Sequence, residues 1–404
     1  MNRVDVVVVG GGIIGVSIAH ALLERRPELE LVLVEKESRV ASHQSGRNSG
    51  VIHSGVYYRP GTLKARLATT GRGLLVDFCR DESLPYEMTG KVIVASDDRE
   101  RSTLDDLRRR GESNGVRLEA IGPARLREIE PYARGVAALH VHDAGVVDFA
   151  SVARALATRL VARGAELRLE WPVVELRETP TDVRVCSTHG ELSAAVVVNA
   201  AGLFADTLAP TESRGGVSAR IVPFRGEYHE VVADRAHLAR ALVYPVPDPE
   251  LPFLGVHLSR GIDDRVHVGP NAVLALAREG YSWSEIDRHE LADLLRFPGF
   301  RGLARRYWRH GIVEVTRSFS RAAIARSLRR IVPEIRAADL DGRTSGVRAQ
   351  AVDANGRLVD DFIFRDSART INVISAPSPG ATASLAIGNE IALRALERLE
   401  AQDA

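Results

Sequence analysis

The sequence is poor in cysteine and lysine, and it lacks any long apolar run. Only two of its 404 residues are cysteines, Cys79 and Cys186, and they do not form a Cys-x-x-Cys pair. A disulfide framework and a metal site are therefore not expected, and a reducing cytosol is the expected compartment. No run approaches the roughly 18 to 20 apolar residues that a membrane span requires, so we predict a cytoplasmic protein.

Neither sign of charge is in excess. The 54 lysines and arginines balance 53 aspartates and glutamates, which leaves a formal net charge of +1. Nucleic-acid-binding proteins usually carry a basic excess, so this class is not expected. Lysine occurs only at Lys36, Lys64 and Lys91, and we attribute the preference for arginine to a GC-rich genome. A length of 404 residues, with 45% of them hydrophobic, is typical of a globular chain of two to three domain-sized units.

The start of the chain follows the pattern of one β-α-β unit. A β-branched run over residues 5–9 predicts a buried parallel strand, and residues 31–34 predict a second one. The pattern between them, over residues 15–25, predicts a helix. Glu35 follows the second strand directly. This order of elements is the context that a dinucleotide-binding fingerprint requires.

Three glycines and one acid supply that fingerprint. Gly10 allows the tight turn after the strand, Gly12 lets the backbone approach a pyrophosphate, and Gly15 lets helix and strand pack closely. The pyrophosphate is then expected at the helix N-terminus, where free N–H groups favour an anion. Glu35 lies 20 residues beyond Gly15, where an acid receives ribose hydroxyls and disfavours a 2′-phosphate. The motif therefore predicts FAD or NAD rather than NADP.

The rest of the chain combines buried runs, alternating stretches and helices. Residues 196–202 are expected to return to the first sheet, with Gly202 close to the nucleotide. Residues 91–95 and 370–375 are predicted as strands. Three helical stretches are predicted between residues 284 and 331, and a closing helix over residues 381–399. Alternation predicts an antiparallel sheet facing a core or ligand, and it occurs over residues 221–232, 253–258 and 266–269.

Several motifs beyond the fingerprint resemble one known family. The most specific is Asn-Ser-Gly-Val-Ile-His-Ser-Gly-Val-Tyr-Tyr at residues 48–58. Together the motifs resemble the FAD-dependent L-2-hydroxyglutarate oxidases and dehydrogenases, which belong to the D-amino-acid-oxidase-like flavoprotein superfamily. Gly380 departs from many of these relatives, in which we expect alanine. The other matching motifs are at residues 223–228, 244–249, 252–258, 268–272, 346–351 and 376–379.

The resemblance implies an α/β (α+β) fold with two interleaved domains and FAD as the cofactor. A discontinuous Rossmann-like FAD-binding domain would comprise residues 1–85, 145–219 and 335–404. A substrate domain on a mixed or antiparallel sheet would comprise residues 86–144 and 220–334. The implied reaction is oxidation of L-2-hydroxyglutarate to 2-oxoglutarate, in which a hydride leaves C2 for flavin N5 and a base takes the hydroxyl proton.

Three residues are candidates for this chemistry. His53 is the first choice for the base, because histidine titrates near neutral pH and the resemblance places its loop beside the flavin. The alternative for His53 is a loop histidine that only bonds backbone. His257 is a second candidate base or carboxylate ligand, and a core histidine is equally expected there. Arg348 resembles the arginine of this superfamily that binds the carboxylate next to the reacting carbon.

Further residues are assigned to the substrate and the cofactor. Arg225 would either hold the distal carboxylate of a dicarboxylate 2-hydroxy acid or pair with Glu227. Tyr57, Tyr58 and Tyr244 are expected to line the cavity, with core packing as the alternative. The cofactor-binding candidates are Gly10, Gly12, Ile14, Gly15, Glu35, Lys36, Ser45, Asn48, Ser49, Val173, Gly202, Pro379, Gly380, Ala381 and Thr382.

Three other functions stay open at this point. A glycerol-3-phosphate oxidase or dehydrogenase also carries an Asn-Ser-Gly-x-x-His-x-Gly segment, and an amino-acid oxidase shares the superfamily. A non-catalytic FAD-binding regulator would keep the fold without the chemistry. The electron acceptor is equally open between oxygen, a quinone and an electron-transfer protein. A quinone would require peripheral contact with the inner membrane face. The basic, aromatic stretch at residues 296–309 is a candidate for lipid contact, although we favour a half-buried helix there.

Overall fold

The computed structural model describes residues 3–209, 219–248 and 255–403. Within them, the chain forms twenty strands and ten α-helices. The strands are β1 (Arg3–Val9), β2 (Leu31–Val34), β3 (Val51–Ile52), β4 (Tyr86–Glu87), β5 (Lys91–Ala95), β6 (Leu118–Ile121), β7 (Ala137–Val141), β8 (Gly145–Val147), β9 (Glu166–Arg168), β10 (Val173–Glu178), β11 (Val183–Ser187), β12 (Gly190–Asn199), β13 (Ala219–Val231), β14 (Leu242–Pro245), β15 (His257–Arg260), β16 (Val266–Gly269), β17 (Val273–Leu274), β18 (Leu340–Asp353), β19 (Ile363–Asp366) and β20 (Thr370–Ser375). The helices are α1 (Ile13–Arg25), α2 (Leu63–Asp81), α3 (Arg101–Ser113), α4 (Pro123–Ile129), α5 (Phe149–Ala162), α6 (Ala205–Leu208), α7 (Arg288–Arg296), α8 (Pro298–Phe319), α9 (Arg321–Leu328) and α10 (Ser384–Asp403).

The first sheet has eight strands around a parallel centre. Its main path is β10-β11-β12-β1-β2-β9, and β20 and β19 continue beside β12. In β1, Val6 and Val8 face α1, α5 and α10, whereas Val7 and Val9 face the β10–β11 hairpin. Both faces of the strand are covered, which explains why its sequence is a continuous apolar run rather than an alternating one.

The second sheet has nine strands and is mostly antiparallel. Its path is β17-β13-β16-β15-β14-β5-β7-β6, and β18 pairs with β13 along nearly its whole length, from Ala219–Asp353 to Val231–Leu340. One face packs on α4 and α9, and part of the other packs on α3. A small third sheet has three strands in the order β3-β8-β4.

The predicted fold class is confirmed, and several strands have the bounds that the sequence predicted. Other elements have bounds that differ from the prediction, and two of these bear on the site. The closing helix begins at Ser384, three residues later than expected, because the preceding residues form turns. The strand predicted over residues 253–258 begins at His257 among the described residues, and Phe253 lies outside them.

The division into domains stays a prediction. The strand Leu340–Asp353 pairs within the second sheet, although the predicted boundaries assign it to the FAD-binding domain. None of the helices in the described parts of the chain is long and apolar enough to cross a membrane.

Candidate active site

A cavity of about 910 Å³ opens where the two large sheets meet. Gly10, Glu35 and Ala200, which directly follow β1, β2 and β12, line one side of it. The carboxyl ends of parallel strands are where α/β sheets bind nucleotides. Tyr244 and Arg348, both on strands of the second sheet, line the opposite side. The cavity therefore has two walls. One consists of the β1–α1 turn and the residues that follow β1, β2 and β12, which we call the nucleotide cradle, and the other is built from a different sheet.

Most of the residues predicted for the site lie around this one cavity. Gly15 and Arg225 do not line it. The predicted residues that do are His53, His257, Arg348, Tyr57, Tyr58, Tyr244, Gly10, Gly12, Ile14, Glu35, Lys36, Ser45, Asn48, Ser49, Val173, Gly202, Pro379, Gly380, Ala381 and Thr382.

The turn between β1 and α1 requires glycine at two positions for different reasons. Gly10 has φ +111°, and a Cβ there would lie 2.5 Å from the Ala200 carbonyl oxygen. A Cβ on Gly15 would collide with the carbonyl oxygen of Gly10, so this glycine lets α1 pack against the turn. Gly15 thus shapes the cradle from behind. Gly12 and Ile14 face the cavity at the start of the helix.

The first N–H of α1 is bonded by a residue from a distant loop. No side chain of the preceding residues caps the helix, and Ser45 Oγ accepts from Ile13 N–H at 2.8 Å. Ser45 is thereby fixed at the helix N-terminus, facing the cavity. In the same loop, the Asn48 side chain donates to the carbonyls of Gln44 and Ser45 and accepts from Gly50 N–H. These bonds hold the polar loop against the nucleotide cradle.

Glu35 is held by two backbone groups at the end of β2. Its Oε2 accepts from Gly11 N–H at 2.7 Å and its Oε1 accepts from Glu37 N–H at 2.9 Å. Next to it, the Lys36 ammonium lies 2.5 Å from a Glu37 oxygen and 2.6 Å from a Glu279 oxygen. The acid predicted to receive ribose hydroxyls is therefore pre-oriented at the cavity wall, and its role toward ribose stays a prediction.

Two groups of side chains in the described residues have the spacing of metal ligands. One consists of Glu119, His140 and His142 at the surface. The other consists of Glu37, His43 and Glu279 at the cavity. In the second group the Lys36 ammonium already supplies a positive charge to both carboxylates.

The segment before α10 touches the loop of His53. Thr382 Oγ1 accepts from His53 N–H at 3.1 Å, and Ser378 Oγ lies 3.2 Å from His53 Nε2. A Cβ on Gly380 would collide with the carbonyl oxygen of Ala376, which explains why glycine stands here. The bonds tie the histidine loop to the turn at residues 378–382, across more than 300 positions of sequence.

His53 has one ring nitrogen without a partner. Its Nδ1 is buried and makes no hydrogen bond to the described residues. Burial lowers the pKa of His53 well below 6.5, and the positive charges of Lys91, Lys64 and Arg348 lower it further. The imidazole is therefore neutral near pH 7, as a proton acceptor must be.

His257 lies beside it in a more constrained position. Its ring stacks on Tyr244 with centroids 3.7 Å apart, and its Nδ1 donates to the Gly255 carbonyl at 3.0 Å. That bond places the proton on Nδ1 and leaves Nε2 as the acceptor. Burial lowers the pKa of His257 to about 3, with further lowering by the charges of Lys91 and Arg348.

The two arginine candidates have different surroundings. Arg348 lines the cavity from β18, opposite Phe224 of β13, and its charge acts on both histidines. Arg225 is fully buried away from the cavity, and its Nε donates to Glu227 Oε1 at 3.0 Å. Arg225 was considered either for the distal carboxylate of the substrate or for an ion pair with Glu227, and the structure has the ion pair. Its Nη1 also donates to the Ser282 carbonyl at 2.8 Å.

The three tyrosines keep their phenolic protons. Burial raises the pKa of Tyr57, Tyr58 and Tyr244 well above 10. All three line the cavity, and Tyr57 Oη is buried without a hydrogen-bond partner among the described residues. They are therefore available as hydrogen-bond donors at neutral pH.

Sequence reasoning missed two lysines of this region. Lys64 lines the cavity and donates to Asp360 Oδ1 at 2.7 Å, and Lys91 lies behind Tyr57 and Tyr244. A signal for both was present in the composition. A chain with 54 basic residues keeps only three lysines, and all three lie at or beside this cavity.

The glycine cradle, the second sheet and the histidine pocket define a dinucleotide-dependent oxidoreductase. The sequence profile of the FAD dependent oxidoreductase family (DAO) matches residues 5–394, so the chain belongs to this family. The chain is 42% identical to the L-2-hydroxyglutarate dehydrogenase of Indibacter alkaliphilus, over 98% of this chain and 99% of that one. It is 38% identical to the Escherichia coli K12 protein of the same name, over 98% and 94%.

A solved structure shows the same fold. The reduced L-α-glycerophosphate oxidase of Mycoplasma pneumoniae, which has FAD bound, superposes with a TM-score of 0.78 at 23% identity. The match covers 98% of this chain and 95% of that one. At this identity the comparison shows the two-sheet fold alone.

The residues of the cradle fit the FAD that the family uses. Gly12 presents its backbone to the cavity. A Cβ on Gly12 would lie 3.4 Å from Ser45 Oγ, which is an ordinary van der Waals contact. The start of α1 faces the same space, and helix N-termini bind phosphate. The orphaned Nδ1 of His53 marks the other end of the cavity as incomplete without a ligand.

Proposed function

We propose that the protein oxidises L-2-hydroxyglutarate to 2-oxoglutarate with FAD. The structural observation that supports the proposal is that a single cavity is lined by the nucleotide cradle, by two neutral histidines and by an arginine. The two relatives described above, which align over nearly their full lengths, carry the name of this dehydrogenase. FAD, when bound, supplies the hydride acceptor for the C2 hydrogen.

The protein's own groups handle the proton and the charges. His53 takes the hydroxyl proton, because it is neutral and has a ring nitrogen without a partner. His257, stacked on Tyr244, is the second candidate, since its Nε2 is an acceptor. Arg348 binds the carboxylate beside the reacting carbon with its guanidinium fork. A bound dianion offsets the positive charges that lower the pKa of His53, which makes the base stronger once substrate is present.

Anaerobic spectroscopy tests the reaction directly. The purified holoprotein is expected to be yellow and to bleach on addition of L-2-hydroxyglutarate in the absence of oxygen. The D-enantiomer serves as the matched control and should leave the spectrum unchanged. Glycerol 3-phosphate is the rival substrate, and equal or better turnover on it would overturn the assignment to a hydroxyglutarate dehydrogenase.

A dehydrogenase also needs an electron acceptor, and we propose that this protein meets its acceptor at an anionic lipid surface. Helix α8 exposes Trp308, Ile312, Val315 and Phe319, with exposed fractions of 38% to 69%. Their spacing of four, three and four residues puts them on one face of the helix. Exposed apolar stripes of this size mark contact surfaces.

The charges around the stripe favour lipid over a second copy of the chain. Arg301, Arg305, Arg306 and Arg309 are exposed on the same helix. Its acid, Glu314, is half-buried, pairs with Arg317 and accepts from Ala272 N–H. A two-fold contact between copies would bring arginines together, whereas an anionic headgroup layer attracts them.

A further inference from the structure

Lys91 is a buried cation without a counter-charge. It begins β5, its side chain is 1% exposed, and its Nζ has no hydrogen-bond partner among the described residues. The ammonium lies 4.3 Å from the ring centroid of Tyr244 and 5.0 Å from that of Tyr57. Both rings line the cavity, so only aromatic faces separate this charge from the substrate space.

The ionisable groups that face Lys91 include no acid. Tyr244 comes from β14, His257 from β15, and Tyr57 and His53 from the loop before α2. On β7, His140 pairs with Val92 and therefore points to the opposite face of the sheet. Helix α3 contributes Arg110, which donates to the Tyr57 carbonyl. The charged groups that act on the neighbouring His53 and His257, which are Lys91, Lys64 and Arg348, are all positive.

An uncompensated cation in this position is costly. Burial alone lowers the pKa of Lys91 to about 7, far from its usual 10.5. Such a cost is offset when an anion arrives. Of the arginines considered for a dicarboxylate, Arg348 faces the cavity and Arg225 is already paired with Glu227. Lys64 also lines the cavity, but its ammonium is paired with Asp360. Lys91 is therefore a buried cation beside the cavity with no anion paired to it among the described residues, and it is available to the second carboxylate of the substrate.

We propose that Lys91 supplies the charge that selects a second carboxylate on the substrate, and that it takes up one proton from solvent when a dicarboxylate binds. The inference rests on the proposed function for the nature of the substrate. Lys91 acts behind Tyr57 and Tyr244 and is a positioning and specificity residue. It takes no part in the transfer of the C2 hydrogen.

The proposal fixes the sign of a pH effect. Above pH 7 the free protein carries a neutral Lys91, and a bound carboxylate raises its pKa again. Binding of a dicarboxylate at pH 8 should then take up about one proton per site, and none at pH 5. The affinity for a dicarboxylate should fall about tenfold per pH unit above pH 7. A monocarboxylate should show neither effect.

Calorimetry with inert ligands tests this without turnover. Glutarate and butyrate are titrated into the holoprotein at pH 8 in two buffers of different ionisation enthalpy, which gives the number of protons taken up. The wild type should prefer glutarate and take up about one proton. Lys91→Met should weaken glutarate binding about 10- to 100-fold, leave butyrate binding unchanged and abolish the uptake. Arg125→Met, an exposed charge on α4, is the matched control.

A second variant keeps the test decisive if Lys91→Met does not fold. Lys91→Arg carries a permanent charge, so it should retain the preference for glutarate and lose the proton uptake. Equal glutarate preference and proton uptake in wild type and Lys91→Met would overturn the proposal, as would uptake in Lys91→Arg. Because glutarate is not oxidised, failure here is distinct from failure of the holoprotein to bleach with L-2-hydroxyglutarate.

Discussion

At the residue scale, His53 combines a half-buried neutral ring with a bond to the turn before the last helix. Replacing it with alanine should leave FAD bound, because the cradle at Gly10 and Ser45 is formed elsewhere. Turnover should fall by about 10²- to 10⁴-fold, the usual contribution of a general base. Stopped-flow flavin reduction at saturating substrate measures this, since a defect in binding alone would be overcome there.

The same residue predicts a pH profile. A histidine is neutral above its pKa, and burial lowers the pKa of His53 well below 6.5. Protonation of His53 should therefore cause no loss of kcat/KM between pH 8 and pH 6. A loss centred near pH 6.5, present in the wild type and absent in His257→Asn, would show that a histidine other than His53 controls the reaction.

Arg348 predicts a different kinetic signature. Its loss in Arg348→Ala should mainly raise KM, because one charge-assisted pair in a desolvated site contributes about 2 to 5 kcal/mol. Arg348→Lys should recover only part of the binding, since an ammonium lacks the bidentate fork. Steady-state kinetics on L-2-hydroxyglutarate separate the two variants. Normal KM in Arg348→Ala would show that the carboxylate is bound by another group.

A site residue can be predicted from the sequence when it belongs to a local motif with a known spacing. The glycines and Glu35 belong to a spacing with a known physical cause, and they line or shape the cavity as expected. Arg225 has no such pattern, and only the fold shows that its Nε donates to Glu227 and its Nη1 to the Ser282 carbonyl. Lys91 begins a strand that was predicted correctly, yet nothing local indicates the two tyrosine rings around it.

At the element scale, the turn into α1 predicts a loss of cofactor. In Gly15→Ala the new methyl group collides with the carbonyl of Gly10, so the turn must open and the cradle must change shape. The variant should be purified with little FAD, as measured by the ratio of absorbance at 450 nm to that at 280 nm. Recovery of the wild-type ratio would show that the turn tolerates a side chain.

The matched control is a glycine in open space. A Cβ on Gly73, which is exposed within α2, would meet no atom within 4 Å. Gly73→Ala should keep FAD and stabilise the protein by about 0.5 to 1 kcal/mol, because alanine has the better helix propensity. The difference between the two substitutions isolates the effect of the nucleotide turn from that of adding a methyl group.

Elements with a regular apolar period were predictable, and those set by tertiary contacts were not. The strands β2, β5, β16 and β20 have the predicted bounds, since short β-branched runs are specific for buried strands. The strand Leu340–Asp353 was missed because it is mixed in polarity and defined by its long pairing with β13. The helix after Gly380 begins late for a similar reason, because turns hold residues 378–382 against the His53 loop.

At the scale of the whole molecule, we propose different partners for the cavity, which would bind the substrate, and for the exposed stripe of α8, which would contact lipid. The protein should pellet with vesicles containing phosphatidylglycerol and remain in solution with pure phosphatidylcholine. Binding should weaken with added salt, because arginines contribute through screened attraction. Vesicle sedimentation of the holoprotein measures this, and stimulation of a quinone-linked assay by the same vesicles would connect the surface to the electron acceptor.

Two neighbouring substitutions decide whether the stripe itself binds lipid. Ile312 lies on the stripe and is 57% exposed. Val313 is comparably exposed, at 48%, but it lies about 100° further around the helix. Ile312→Glu should therefore reduce the bound fraction about tenfold, and Val313→Glu should have little effect. Equal behaviour of the two variants would overturn the lipid assignment. Conversion of a dimer to a monomer by Ile312→Glu in sedimentation velocity would instead identify α8 as a contact between copies, because a lipid-binding face predicts no change in mass in the absence of vesicles.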